Sequence, residues 1–186
     1  MGKLVVTEFI SLDGVIDSPG GGDHPQAGWT FKFDLGDGYL FKNEELMRSD
    51  AQLLGRITYE GFAAAWPTME GTGEFGVKMN TMPKVVVSTT LENPEWENST
   101  VIHGNLEQEV PALKERYEGD ILLAGSAQLA QSLFALDLVD ELNLIIFPIV
   151  LGSGKKLFAD EAETKSLTPI EYRPTGQVVI ARYALR

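Results

Sequence analysis

The run Ile121-Leu122-Leu123-Ala124-Gly125-Ser126-Ala127-Gln128-Leu129 constrains this chain more than any other stretch. Its four leading apolar residues suit a strand buried on both faces. Gly125 lets the backbone turn without a Cβ in the way, and Ser126 is a good N-cap for the helix implied by the spacing of Leu129, Leu133 and Leu136. A strand, a tight glycine turn and a helix follow one another. Such a turn directs free backbone N–H groups and the positive end of a helix dipole at one spot, which suits a phosphate. An ordinary strand-to-helix connection reads the same way, because a single Gly-Ser pair is a weak phosphate signal.

The pattern recurs in Ala51-Gln52-Leu53-Leu54-Gly55-Arg56-Ile57-Thr58-Tyr59-Glu60. Thr58 reads as the cap of a helix ending near Trp66-Pro67. Arg56 stands in the turn itself. The chain carries 15 Lys and Arg against 27 Asp and Glu, a net charge of −12. That balance repels nucleic acid and anionic membrane surfaces in bulk, so any anionic ligand must be held by a few local donors. An arginine beside a helix N-terminus is such a donor, its planar fork matching phosphate oxygens, with a surface ion pair as the alternative. Lys84 to Thr90 is a β-branched strand that runs into the hydroxyls of Ser88, Thr89 and Thr90, polar at the end where open α/β sheets place ligands.

Other chemistries lack their residues. With no cysteine there is no disulfide framework, thiolate metal site or cysteine nucleophile, and a reducing cytoplasm is the expected compartment. His24 and His103 are the only histidines and stand far apart, so no metal is expected. Gly152-Ser153-Gly154-Lys155 imitates a P-loop, but the glycine needed five residues before Gly154 is Ile149, and no nucleophile elbow is present. No apolar run approaches the roughly 20 residues of a membrane span. At 186 residues the chain is expected to form one domain, 1–186.

Lys3 to Ile10 reads as a first, central strand, followed by the glycine-rich segment Ser11 to Asp23, a loop able to move over a site. Trp29, Phe31 and Phe33 come next, as core edge or ligand platform. Asp37 to Ser49 reads as a helix with Leu40, Phe41, Leu46 and Met47 inward, and residues 68 to 83 as irregular with a short helix from Glu74. Thr100 to His103 is a short strand, Leu106 to Tyr117 a helix, and Leu138 to Pro148 a long strand. Ile170 to Arg173 and Gln177 to Leu185 form a closing hairpin across Pro174-Thr175-Gly176.

Five blocks in order carry a family resemblance: Ser11-Leu12-Asp13-Gly14-Val15-Ile16, Leu53 to Glu60, Val86 to Leu91, Ile121 to Phe134, and Val139-Asp140-Glu141-Leu142 through Leu151-Gly152-Ser153-Gly154. On them the chain resembles the dihydrofolate reductase-like superfamily, and more narrowly the reductase domain of the bacterial bifunctional riboflavin-biosynthesis deaminase-reductase. The resemblance implies an α/β three-layer fold: a mixed, mostly parallel eight-stranded sheet with helices on both sides and an antiparallel C-terminal edge. It implies NADPH as hydride donor to a small heterocyclic or carbonyl substrate of the pyrimidine or pterin class.

By position, Gly125, Ser126, Ala127 and Gln128 would meet the pyrophosphate, with Gly55, Arg56 and Thr58 on its other side. Ser88 and Thr89 would lie by the adenosine ribose, and Phe9 and Ile16 would flank the nicotinamide. Asp13 would order the neighbouring loop and, through a water, serve the chemistry. Trp29, Phe33, Tyr39 and Trp66 are the candidate substrate wall. Dihydrofolate reductases carry an acid on the first helix where this chain has Tyr39, with Asp37 or Glu44 as substitutes if the register shifts. A homodimer is implied too, with strand 142 to 151 as a candidate contact. The alternative is a catalytically silent nucleotide- or small-molecule-binding homodimer of the same fold.

Overall fold

The computed structural model describes residues 1–185. Its spine is an eight-stranded sheet built from β1 (Leu4–Ile10), β2 (Ser49–Gly55), β3 (Lys84–Val87), β4 (Ser99–Ile102), β5 (Asp120–Ala124), β6 (Glu141–Ile146), β7 (Thr168–Thr175) and β8 (Val178–Ala184). Across the sheet the order is β4-β3-β2-β5-β1-β6-β8-β7. The first six of those strands pair in parallel, and β8 and β7 add an antiparallel edge. The expected fold class is therefore the observed one.

Among the described residues five α-helices cover the sheet: α1 (Gly38–Arg48), α2 (Arg56–Ala65), α3 (Gly73–Thr81), α4 (Leu106–Arg116) and α5 (Ala127–Ala135). Alternation along β1 sorts the core. Leu4, Val6 and Ile10 face a cluster that includes Val110 and Leu113 of α4 and Leu129 and Leu133 of α5. Val5 faces the other cluster, with Leu46 of α1 and Met79 of α3. A third cluster gathers Trp29, Leu35, Phe41, Ile145, Phe147 and Ile180. The central parallel strands are apolar on both faces because both faces are roofed.

Several local expectations change. On α1, Phe41 and Leu46 are buried, but Leu40 is exposed and Glu45 takes the inward position. The helix expected from Glu74 is present, starts at Gly73 and runs nine residues. Leu136 lies past the end of α5 and is exposed. Strand β6 is interior between β1 and β8, so Leu142, Leu144 and Ile145 are consumed inside the chain and offer no contact surface to a second copy.

The connections locate a ligand crevice. From its C-terminal end β1 runs through α1 to β2, beyond β5, whereas β5 runs through α5 to β6, on the far side of β1. Adjacent strands whose connections leave in opposite directions open a gap at their C-terminal ends, and such a switch point is where open α/β sheets bind ligands. Between β1 and β5 the last paired residues are Thr7 and Ala124, so the gap opens at Glu8 and Gly125.

Candidate active site

Two glycine turns meet at this gap. Gly55 ends β2 and precedes α2, and its N–H donates to Ser126 Oγ at 2.9 Å. The Ser126 N–H in turn donates to Thr58 Oγ1 at 3.0 Å. The two side chains expected to cap their own helices instead tie the turns to each other. Ser126 holds the N-cap position of α5 in the left-handed region, φ 58°, and makes no side-chain cap bond. Thr58 lies in the first turn of α2, whose N-cap is Gly55.

Gly125 has φ 67°, and a Cβ there would meet Thr58 Cγ2 and Oγ1 at 3.1 Å, so glycine is required both for conformation and for close approach. The result is one surface carrying the N-terminal ends of α2 and α5, where two helix dipoles favour an anion. Ala127 is buried and Gln128 exposed on the first turn of α5.

Arg56 is exposed at the first residue of α2, and its Nη1 donates to both carboxylate oxygens of Glu60, at 2.9 and 3.0 Å. An exposed pair one helical turn apart is worth roughly 0.3–0.5 kcal/mol, so a phosphate can outcompete Glu60 for the guanidinium. At the end of β3, Ser88 Oγ accepts the N–H groups of Thr90 and Leu91, and Thr89 stays exposed.

Asp13 is a clasp. Ser11 Oγ donates to its Oδ1 at 2.7 Å, Leu151 N–H to Oδ1 at 3.0 Å and Gly152 N–H to Oδ2 at 2.7 Å. The Ser11 hydroxyl first, then the two amides, lower its pKa to about 2. A carboxylate so held stays ionised at neutral pH and cannot donate a proton; it fastens residues 11–15 to residues 149–152. The loop itself is stitched down rather than free. Ile16 N–H donates to the Lys155 carbonyl, Leu157 N–H to the Gly14 carbonyl and Lys155 N–H to Asp17 Oδ2. Ile16 is buried beneath it.

The aromatic wall is only partly assembled. Phe9, Trp29 and Phe33 converge edge-on upon Phe147, with ring centroids at 5.6, 5.2 and 5.8 Å. Trp29 is fully buried and donates Nε1–H to the Asp17 carbonyl, so it is core rather than wall. Phe9 and Phe33 remain half-buried. Trp66 sits at the far end of α2 against Phe62 and Phe75, away from this cluster. Tyr39 points outward, 68% exposed, Asp37 pairs with Arg173, and Glu44 is exposed.

The acid that α1 does turn inward is Glu45. It is fully buried, paired with Lys42 at 2.8 Å and hydrogen-bonded by Thr7 Oγ1 at 2.9 Å and Asn143 Nδ2 at 2.7 Å. The Lys42 ammonium lies 5.5 Å from the centre of the Phe9 ring. These polar groups, and Glu8, escaped the sequence reading; their signal is a run of polar residues, Thr7-Glu8 and Asn143, inside otherwise apolar central strands.

Among the described residues no group of three or more acidic or histidine side chains is arranged to hold a metal, and no helix is long and apolar enough to cross a membrane.

Comparison with known proteins agrees with this architecture. The Bacillus subtilis (strain 168) protein YyaP, itself uncharacterized, is 29% identical over 182 residues, covering 96% of this chain and 92% of its own. A solved structure from Shewanella sp. PV-4, whose name links it to riboflavin biosynthesis, superposes with a TM-score of 0.77 at 22% identity, covering 100% of this chain and 99% of its own. Dihydrofolate reductase from Enterococcus faecalis, solved in complex with NADP(H) and RAB-propyl, gives a TM-score of 0.58 at 18% identity over 98% and 96% of the two chains. The profile of the RibD C-terminal domain matches residues 2–181, and the chain belongs to that family.

Proposed function

We propose that this protein is an NADPH-dependent reductase that delivers a hydride to a small heterocyclic or carbonyl substrate of the pyrimidine or pterin class. The observation that carries the reading is the pair of glycine turns, bonded to each other through Thr58 and Ser126 beside the switch point. Two helix N-termini and a displaceable Arg56 suit a pyrophosphate, and Gly125, without a Cβ, lets the Thr58 side chain close up against the turn. Thr89 offers an exposed hydroxyl for the adenosine ribose, with Ser88 shaping its turn.

NADPH when bound supplies the hydride. The chain's part is to orient it. Phe9 offers a half-buried ring at the C-terminal end of β1, and Asp13 holds the covering loop in position. The substrate then packs between that loop and the exposed face of Phe33. We further propose that the protein works in the cytoplasm as a homodimer, by its family likeness.

Titrating NADPH and NADH into the pure protein by nicotinamide fluorescence, with Arg56→Ala alongside, tests the reading. Tighter binding of NADPH that falls roughly ten- to a hundredfold in the variant supports it, one charge-assisted bidentate contact being worth roughly 1.5–3 kcal/mol. Absence of binding by either nucleotide overturns it. Because Asp13 is saturated and ionised, a silent nucleotide-binding protein is the competing reading. NADPH binding with no turnover across pyrimidine, pterin and simple carbonyl substrates would favour it.

A further inference from the structure

Glu8 is a charged residue type in the middle of the most buried strand of the sheet. It is 4% exposed, one of its carboxyl oxygens, Oε1, has no hydrogen-bond partner among the described residues, and Gly125, next along the β1–β5 pairing, stands close enough for its amide to pull on the carboxyl group. It therefore sits directly behind the turn that carries the N-terminus of α5. An ionised carboxylate there would oppose the helix dipole and any anion on the turn's outer side. An uncharged acid would not, and its carbonyl oxygen can face the Gly125 N–H.

We propose that Glu8 is a positioning residue of this site: in its protonated form it holds the Gly125 amide from behind, and on losing its proton it repels the phosphate that the turn binds. Affinity for an anionic ligand is then coupled to one proton inside the protein. This rests on the dinucleotide reading above for the identity of the ligand. Burial is the largest influence on the Glu8 carboxyl and pushes its pKa well above its ordinary value. The charged groups that act on it are Lys42, which opposes that shift, and Glu45, which adds to it. Both belong to α1 and are paired with each other at 2.8 Å.

The test is NADPH affinity against pH, from 5 to 9, for the wild type and for Glu8→Gln. Glutamine keeps an acceptor for the Gly125 amide and cannot ionise. The wild type should lose affinity as pH rises, by up to about tenfold per unit once Glu8 ionises, and the ratio of wild type to variant should carry that slope, the cofactor's own ionisation cancelling. A second readout needs no ligand. With its folded-state pKa raised, Glu8 contributes stability that is fully present below its unfolded value, 4.5, and is lost as pH rises through the folded value. Urea unfolding of Glu8→Gln should lack that decline. Equal pH slopes in both proteins overturn the proposal. If NADPH binds neither protein at any pH, the dinucleotide reading falls, and the same titration with inorganic pyrophosphate decides Glu8 alone. A slope in the wild type only would sustain it; equal slopes, or no binding, would overturn it.

Discussion

Replacing Thr58 by valine removes one hydroxyl oxygen and almost nothing else. The two side chains have the same branched shape and close helix propensities, so the change isolates the bond that this oxygen accepts from the Ser126 N–H at 3.0 Å. That amide is half-buried at the head of α5 in a left-handed conformation that no helix bond relieves. Leaving a fully buried donor unpaired costs about 1–3 kcal/mol; with partial access to water, about 1.5 kcal/mol is expected. In a protein of this size that lowers the melting temperature by roughly 3–6 °C.

Thr58→Ser, which keeps the hydroxyl, should recover most of the loss. Thr58→Val leaves the Gly55–Ser126 bond as the remaining tie between the two turns, so NADPH affinity should fall in Thr58→Val and return in Thr58→Ser. Thermal unfolding followed by circular dichroism, paired with the fluorescence titration, reads both effects. Stability within about 0.5 kcal/mol of wild type, together with unchanged affinity, would refute the idea that the cross-bond shapes the site.

Two further outcomes follow from the Asp13 clasp and the buried Glu45 network. Asp13 has a depressed folded-state pKa of about 2, so its stabilisation is present above its unfolded value of 3.8 and is lost as pH falls through about 2. After discounting for solvent at this loop, the wild type should exceed Asp13→Asn by about 1 kcal/mol at pH 5, a margin that closes toward pH 2; a margin independent of pH in urea unfolding would contradict the clasp. Glu45→Ala removes the partner of Lys42, Thr7 and Asn143 at once and should cost about 3–5 kcal/mol by chemical denaturation, whereas a cost under about 1 kcal/mol would mean the network is not energetically coupled.

What could be read from the chain, and what could not, divides along physical lines. The strand-turn-helix units at Leu53 to Phe62 and Ile121 to Phe134 were legible because apolar runs, glycine and helical spacing are local signals. The sheet class followed from the five ordered blocks. The roles of Ser126 and Thr58 were not legible, because a hydroxyl at a helix start has the same sequence signature whether it caps its own helix or reaches another turn. Their true partners are 71 and 68 residues away in sequence.

Trp29 and Trp66 illustrate the same limit, since an aromatic near a loop carries no label saying which side of the sheet receives it. Trp29 fills the core against Phe147, and Trp66 caps the opposite end of α2. Glu8 and Glu45 were hidden for a different reason. A lone acid in an apolar strand or on an amphipathic helix is usually solvated, and only the three-dimensional neighbours, Gly125 for one and Thr7 with Asn143 for the other, reveal the exception.

The most direct test of the account is a crystal structure of the protein grown with NADPH. The account predicts the pyrophosphate between Gly55-Arg56 and Gly125-Gln128, with the Arg56 guanidinium turned from Glu60 onto phosphate and the nicotinamide beside Phe9. Cofactor bound elsewhere on the sheet, or a crevice that stays closed at saturating NADPH, would contradict it.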